Sequence, residues 1–180
     1  MSGLNNIRDA AAQAGLRFLL IGGNAIIAYG VQRETADLDL LVCRDDLSRW
    51  RDLFLGRGYT VFHDGGNFIQ FAPPSEGAWP TDLMIVNNET FTKLEAGSRS
   101  FSLWNQEWRI PSPAHMVALK LHALVHGPKH RHLRDFLDVV EIIKAQRLDP
   151  DGPELCDIFA KHGTPRLHRS VLLACEADGL

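Results

Sequence analysis

Apolar positions in the first 110 residues follow two spacings, one of short runs or strict alternation and one of helical period. Short apolar runs bounded by glycine, proline or polar residues predict strands, and apolar positions three or four apart predict helices. The predicted strands cover 17–21, 36–43, 59–62, 67–71, 81–86 and 101–110. The predicted helices cover 5–14, 24–30, 45–55 and 91–94.

The pattern changes after Pro111 and Pro113, where only helical spacing continues. Helices are predicted over 114–124, 131–145, 153–161 and 165–174. We therefore predict an α/β (α+β) fold in which residues 1–110 form a core with a small mixed β-sheet flanked by helices. Residues 111–180 form a helical carboxyl-terminal extension that packs on this core.

Composition narrows the class of protein. The 180 residues carry a net charge of −3, with a pI near 6.2, which argues against a general nucleic-acid binder. The chain has three widely spaced cysteines, Cys43, Cys156 and Cys175, and no CxxC pair. Their number and spacing suggest neither a disulfide framework nor a cysteine zinc site. No stretch is long and apolar enough to span a bilayer, and we expect a cytoplasmic location.

A glycine turn follows the first predicted strand. Gly22 and Gly23 interrupt the apolar run, and Asn24 is suited to cap the helix that follows. The first N–H groups of a helix lack partners within it, so a helix start favours anions. The turn is therefore a candidate phosphate site.

Two carboxylates follow in the next strand. Asp37 and Asp39 are two residues apart and so point to the same face. Adjacent carboxylates repel each other, so this pair should either have a raised pKa or hold a divalent metal. Asp82 is the one acidic residue in strand 81–86, where it either sits at an exposed strand start or needs a partner such as a metal.

This combination resembles the signature of the polymerase-β-like nucleotidyltransferases. The local sequence is most similar to the minimal and abortive-infection (AbiEii-like) toxin-type branch. The similarity lies in Gly22-Gly23-Asn24-Ala25, Arg33, Thr35 and Asp37-Leu38-Asp39-Leu40.

The resemblance implies the nucleotidyltransferase fold and transfer of an NMP group from an NTP to an acceptor hydroxyl, with release of pyrophosphate. It implies that Mg²⁺, or Mn²⁺, is held by Asp37, Asp39 and Asp82, with Asp82 also helping to deprotonate the acceptor. Gly22, Gly23 and Asn24 would bind the triphosphate, and Arg33 would neutralise phosphate charge. The acceptor is left open among tRNA, a protein and a small molecule, and a cognate antitoxin is an expected partner.

Three residues of the carboxyl-terminal half are also candidates. Lys120 lies in an otherwise apolar helix, where it either reaches solvent or faces a bound anion. The toxin-type branch has a helical lysine and a later Arg-x-x-Lys-Asp-x-x-Asp motif, which Lys120 and residues 131–138 resemble, with Arg134 in the place of the lysine. The resemblance thus implies a nucleotide-binding role for Lys120, Asp135 and Asp138. The alternative for the two aspartates is an ordinary acidic helix face.

Four histidines, at positions 122, 126, 130 and 132, raise the question of a zinc site. Gly127-Pro128 interrupts the helix between them, and there is no His-Glu-x-x-His pattern. We favour a basic, partly exposed turn that contacts phosphate or RNA.

Two other functions remain for comparison. A non-catalytic nucleotidyltransferase-fold module could bind a nucleotide or partner, although the retained Asp37 and Asp39 argue against it, since unmetallated carboxylates cost stability. A dinucleotide-binding domain would need a GxGxxG turn, which Gly22-Gly23-Asn24-Ala25 does not supply.

Overall fold

The computed structural model describes residues 2–177, with side chains from residue 7 onward. Two compact units account for the chain. Among the described residues, unit 1 comprises 2–28 and 33–111, and unit 2 comprises Tyr29–Gln32 and 112–177. The last three residues of the predicted extension, 178–180, lie outside the described residues.

Unit 1 contains a five-stranded mixed sheet with the order β1-β2-β5-β4-β3. Its strands are β1 (Phe18–Leu20), β2 (Leu38–Cys43), β3 (Thr60–Asp64), β4 (Phe68–Ala72) and β5 (Thr81–Val86). The central strands β2 and β5 are parallel, and the other neighbouring strands pair antiparallel. The mixed sheet agrees with the predicted fold class.

The described part of unit 1 also contains four α-helices: α1 (Ser2–Gln13), α2 (Gly22–Ala28), α3 (Leu47–Leu55) and α4 (Asn88–Ala96). The core is rich in aromatic rings contributed by α3 and by the sheet. Phe54 of α3 stacks on Phe71 of β4 with ring centroids 4.4 Å apart, and Trp50 and Tyr59 pack around Phe54. Each large ring buries a large apolar surface. Because the stacked rings belong to α3 and to β4, the stack anchors α3 to the sheet.

A hairpin ends unit 1 where the sequence pattern predicts a single strand over 101–110. That prediction is wrong: β6 (Arg99–Leu103) and β7 (Gln106–Ile110) pair antiparallel around a two-residue turn. Trp104 and Asn105 both adopt positive φ, of 52° and 61°, as a tight hairpin turn requires. The turn lacks the glycine or aspartate that usually signals it in a sequence, and Trp104 instead packs on Trp108 and Trp79.

Unit 2 is helical. Its helices are α5 (Pro113–His126), α6 (His132–Ala145), α7 (Pro153–His162) and α8 (Pro165–Glu176). Ser112 caps α5, because its side chain accepts a hydrogen bond from the His115 N–H at the start of this helix. Tyr29 belongs to this unit, and Gln146 Nε2 donates to its carbonyl at 2.9 Å. Among residues 2–177, none of the helices combines the length and hydropathy of a membrane span.

The aromatic stack gives a prediction about stability. Phe54→Ala should lower the free energy of unfolding by about 3–5 kcal/mol, because it removes a fully buried ring and leaves a cavity. Leu55→Ala is the control, since Leu55 is the next residue but is 52% exposed, and it should change the free energy by less than about 0.5 kcal/mol. Denaturant unfolding of both variants measures the difference, and equal losses would contradict this description of the core.

Candidate active site

The site begins where β1 ends, at the glycine turn. Gly22 has φ +64°, and a Cβ added there would overlap the carboxylate of Asp39. The Ile21 N–H donates to the Asp39 carbonyl at 3.0 Å, which ties the turn to β2. The close approach of this backbone to Asp39 therefore requires glycine for two reasons, the left-handed conformation and the missing side chain.

Strand register brings the acidic residues together. Asp39 of β2 lies directly beside Asp82 of the parallel strand β5. Asp37 precedes Asp39 by two residues, and these three side chains each offer an oxygen within 4.8 Å of the others. Asp82 is 6% exposed, so it is not the exposed strand start that was the alternative for it.

Neutral donors hold two of these carboxylates. The Thr35 hydroxyl donates to Asp37 Oδ1 at 2.7 Å. Gln70 Nε2 lies 3.1 and 3.3 Å from the two carboxylate oxygens of Asp82, which it faces across the β4–β5 pair. A neutral donor orients a carboxylate without cancelling its charge, so the cluster keeps its attraction for cations.

Gly23, Asn24 and Arg33 lie beside this cluster. A Cβ on Gly23 would come within 2.6 Å of the Thr35 side chain and 3.2 Å of Arg33 Nε. Asn24 does not cap α2, which is a correction: α2 already begins at Gly22, and Asn24 is buried within it. Its Nδ2 instead donates to the Asp37 carbonyl at 2.8 Å and so fixes the approach to β2.

The donor set fits a hard divalent cation. Carboxylate oxygens are the ligands that Mg²⁺ takes from proteins, usually one or two together with phosphate oxygens and water. Three carboxylates so close together repel each other unless a cation or a proton lies between them. The cluster of Asp37, Asp39 and Asp82 is therefore a candidate metal centre.

In unit 2 a separate buried group connects α5 and α6. Lys120 Nζ lies 2.7 Å from Asp135 Oδ1 and 2.7 Å from Asp138 Oδ2. Lys120 is 7% exposed, so the alternative in which it reaches solvent is wrong. Asp135 and Asp138 are also buried, which excludes an ordinary solvated acidic face. The structure brings together these three residues as one ion-pair network.

The four histidines at positions 122, 126, 130 and 132 do not form a potential metal site among the described residues. Among residues 2–177, the groups of His, Cys, Asp and Glu with ligand atoms within 4.8 Å of one another are Asp37–Asp39–Asp82 and a second set, Asp151, Cys156 and His168. The rings of His122 and His126 are 4.5 Å apart. Burial lowers the pKa of His122, and the nearby His126 and His162 lower it further, so its neutral form is favoured.

Gln70 and Thr35 support the carboxylates, and sequence reasoning gave neither a role. Gln70 is a polar residue within the otherwise apolar run Phe68–Ala72, the same signal that singled out Asp82. Thr35 entered only as part of the family resemblance. Its position two residues before Asp37 is compatible with a local side-chain hydrogen bond, which is a usual role for threonine next to a strand.

Comparison with known proteins identifies the family. A model described as nucleotidyl transferase AbiEii toxin, type IV toxin–antitoxin system, matches residues 7–174. A search of curated proteins gives no match.

Solved structures show the same fold. The chain is similar to the antibiotic-resistance factor ANT(2'')-Ia in solution, with a TM-score of 0.64 at 16% identity, covering 97% of this chain and 94% of that chain. It is similar to an antigenic nucleotidyltransferase-like protein from Paracoccidioides brasiliensis, with a TM-score of 0.57 at 14% identity, covering 98% and 87%. It is also similar to the lincosamide antibiotic adenylyltransferase LnuA bound to lincomycin, with a TM-score of 0.56 at 15% identity, covering 79% and 95%.

The family match spans most of the chain, and it confirms the resemblance first seen in the glycine turn and the Asp-x-Asp strand. These structures have the nucleotidyltransferase fold, which confirms the predicted fold class. The protein therefore belongs to the AbiEii family of nucleotidyltransferase toxins.

Proposed function

We propose that this nucleotidyltransferase moves an NMP group from an NTP to an acceptor hydroxyl and that the reaction depends on a divalent metal. The observation that carries the proposal is the convergence of Asp37, Asp39 and Asp82 beside the Gly22 turn. Their carboxylates lie within 4.8 Å of one another, although holding like charges together opposes folding. A binding role for a cation explains why this chain places all three there.

Asp37, Asp39 and Asp82 would hold the metal, with Mg²⁺ as the expected ion and Mn²⁺ as an acceptable one. A divalent metal held there would neutralise charge that builds on the reacting oxygens during phosphoryl transfer. Thr35 and Gln70 would keep two of the carboxylates aimed at this position through the hydrogen bonds already described. Their role is positioning, since they contact ligands and not substrate.

In the proposed step the acceptor oxygen forms a bond to the α-phosphorus, and the bond from that phosphorus to the pyrophosphate oxygen breaks. The hydroxyl proton passes to Asp82. Backbone N–H groups of Gly22 and Gly23 would bind the triphosphate, and Arg33 would neutralise phosphate charge. The proximity of Arg33 to Gly23 supports this assignment.

For the acceptor we favour a macromolecule, tRNA or a protein, because the family is a toxin family of type IV toxin–antitoxin systems. A cognate antitoxin is the corresponding partner. A small-molecule acceptor is the second candidate, since LnuA is a lincosamide antibiotic adenylyltransferase. The pI near 6.2 argues against broad, charge-driven RNA binding.

Asp39→Asn provides the main test of this function. The purified full chain is incubated with Mg²⁺, each α-labelled NTP and, in separate reactions, total tRNA, cell protein and aminoglycoside or lincosamide antibiotics. We expect label transfer by the natural chain, with a rate at least about 100-fold lower in Asp39→Asn, because the substitution removes a carboxylate of the metal site. Asp45→Asn is the control, since Asp45 is an exposed aspartate just beyond the same strand.

The molecule that receives the label, whether tRNA, protein or antibiotic, identifies the acceptor class. Transfer that is equal in the natural chain and Asp39→Asn would contradict the carboxylate site. NTP binding without transfer to any acceptor would instead favour the non-catalytic binding module.

Gly22→Ala tests the close approach of the turn to Asp39. Alanine at a left-handed position should cost about 1–2 kcal/mol of stability. Gly15→Ala is a matched control, because Gly15 has φ +62° and open space around a Cβ, whereas a Cβ at Gly22 would overlap Asp39. Both variants should lose stability in thermal unfolding, but only Gly22→Ala should lose transfer activity. Comparable activity in the two variants would show that the turn does not shape the site.

Lys120→Gln tests whether Lys120 does more than neutralise its partners. It should cost about 3–5 kcal/mol of unfolding free energy, because Asp135 and Asp138 would remain buried without their cation. Lys161→Gln, at an exposed position, is the stability control.

The variant Lys120→Gln, Asp135→Asn, Asp138→Asn should regain much of that stability, since it also removes the buried negative charges. If Lys120 or its two partners bind nucleotide, this restored protein keeps only low activity, with a raised KM for NTP. Full activity in it would limit Lys120 to a structural role.

A further inference from the structure

A second cluster of metal-ligating side chains lies in unit 2 and takes no part in the proposed transfer reaction. Asp151 precedes α7, Cys156 is in the first turns of α7, and His168 is in the first turn of α8. Each offers one ligand atom within 4.8 Å of the other two. The three residues are spread over positions 151 to 168 and include one cysteine, so a search for closely spaced cysteines does not detect the cluster.

Local contacts hold these side chains in place. Cys156 Sγ lies 3.3 Å from the Asp151 carbonyl and 3.8 Å from Asp151 Oδ1. His168 Nε2 lies 2.8 Å from the Pro150 carbonyl, and the imidazole stacks on Phe159 with ring centroids 4.2 Å apart. The packing of the protein therefore already brings the three donor side chains together. This reduces the conformational-entropy cost of ordering them when an ion binds.

The mixture of donors indicates the kind of ion. Thiolate sulfur, imidazole nitrogen and carboxylate oxygen are the ligands of Zn²⁺, whereas Mg²⁺ and Ca²⁺ take oxygen ligands. Asp149 and Asp157 also act electrostatically on Cys156, so the cluster lies in a region of negative charge. Partial exposure of Cys156 and His168 leaves the donors open to an ion from solvent.

We propose that Asp151, Cys156 and His168 bind Zn²⁺ and that this ion cross-links the start of α7 to the start of α8. On binding, the thiol gives up its proton to solvent and a zinc–sulfur bond forms, while neutral His168 and ionised Asp151 supply the other two bonds. Water completes the tetrahedral coordination. The site is independent of the nucleotidyl-transfer proposal.

Co²⁺ is the spectroscopic probe for this site. The full chain is stripped with a chelator and titrated with Co²⁺ alone, and we expect a thiolate-to-cobalt charge-transfer band that rises to saturation. The carboxylate cluster of Asp37, Asp39 and Asp82 contains no sulfur, so it does not produce this band. Zn²⁺ added afterwards should abolish the band and raise the melting temperature.

Variants assign the band to these residues. Cys156→Ser should abolish it while Cys43 and Cys175 remain, and His168→Gln should weaken Co²⁺ binding at least about 10-fold. Asp39→Asn should leave the band intact, which separates this site from the one proposed for catalysis. Failure of nucleotidyl transfer would not affect any of these results.

Alkylation of Cys156 supplies a measurement on the unsubstituted chain. Zn²⁺ should slow modification of Cys156 at least about 10-fold, measured by peptide mass spectrometry, because a zinc-bound thiolate is not free to react. The proposal is overturned if the natural chain shows no charge-transfer band, if the band survives in Cys156→Ser, or if Zn²⁺ leaves the alkylation rate of Cys156 unchanged.

Discussion

The parallel register between β2 and β5 is the constraint on which the candidate active site depends. It places Asp39 beside Asp82, and Asp37, in the bend just before β2, brings a third carboxylate oxygen within 4.8 Å of theirs. A slip of one residue in either strand would send its carboxylate to the opposite face of the sheet. Buried neighbours on both sides of Asp39, Leu38 and Leu40, favour this register, because a slip would move Asp39 to a fully buried apolar position. Burial of apolar residues thus holds together acidic groups that repel each other.

Local periodicity was enough to predict the first part of this site. The Asp-x-Asp spacing predicted that Asp37 and Asp39 lie close together, as they do, although β2 begins at Leu38 and Asp37 lies in the bend before it. The break at Gly22 marks the end of β1 without knowledge of other strands. Asp82 needed the family resemblance, since only strand pairing says which acid lies beside Asp39. Gln70 was missed for the same reason: its contact with Asp82 is set by the antiparallel register of β4 with β5.

Other features depend on contacts that no local pattern contains. The hairpin of β6 and β7 turns at Trp104 and Asn105, where aromatic packing accommodates a backbone conformation that glycine would more often adopt. The sequence left Lys120 open between solvent and a bound anion, because it does not show whether a charged partner is buried beside the lysine. Its partners lie on another helix, and the convergence of Cys156 with His168 likewise depends on how two helices meet.

Tyr29–Gln32 lies in the sequence between the Gly22 turn and Asp37, yet it belongs to unit 2. Tyr29 is buried, and its carbonyl accepts a hydrogen bond from Gln146. The polypeptide therefore enters unit 2 twice, so the two units are not two separable lengths of chain. Division of the protein after Pro111 would separate Tyr29, which lies in the segment leading to Asp37, from Gln146, which donates a hydrogen bond to its carbonyl. Unit 2 is therefore assembled from two stretches of chain that lie, in the sequence, on either side of residues 33–111 of unit 1.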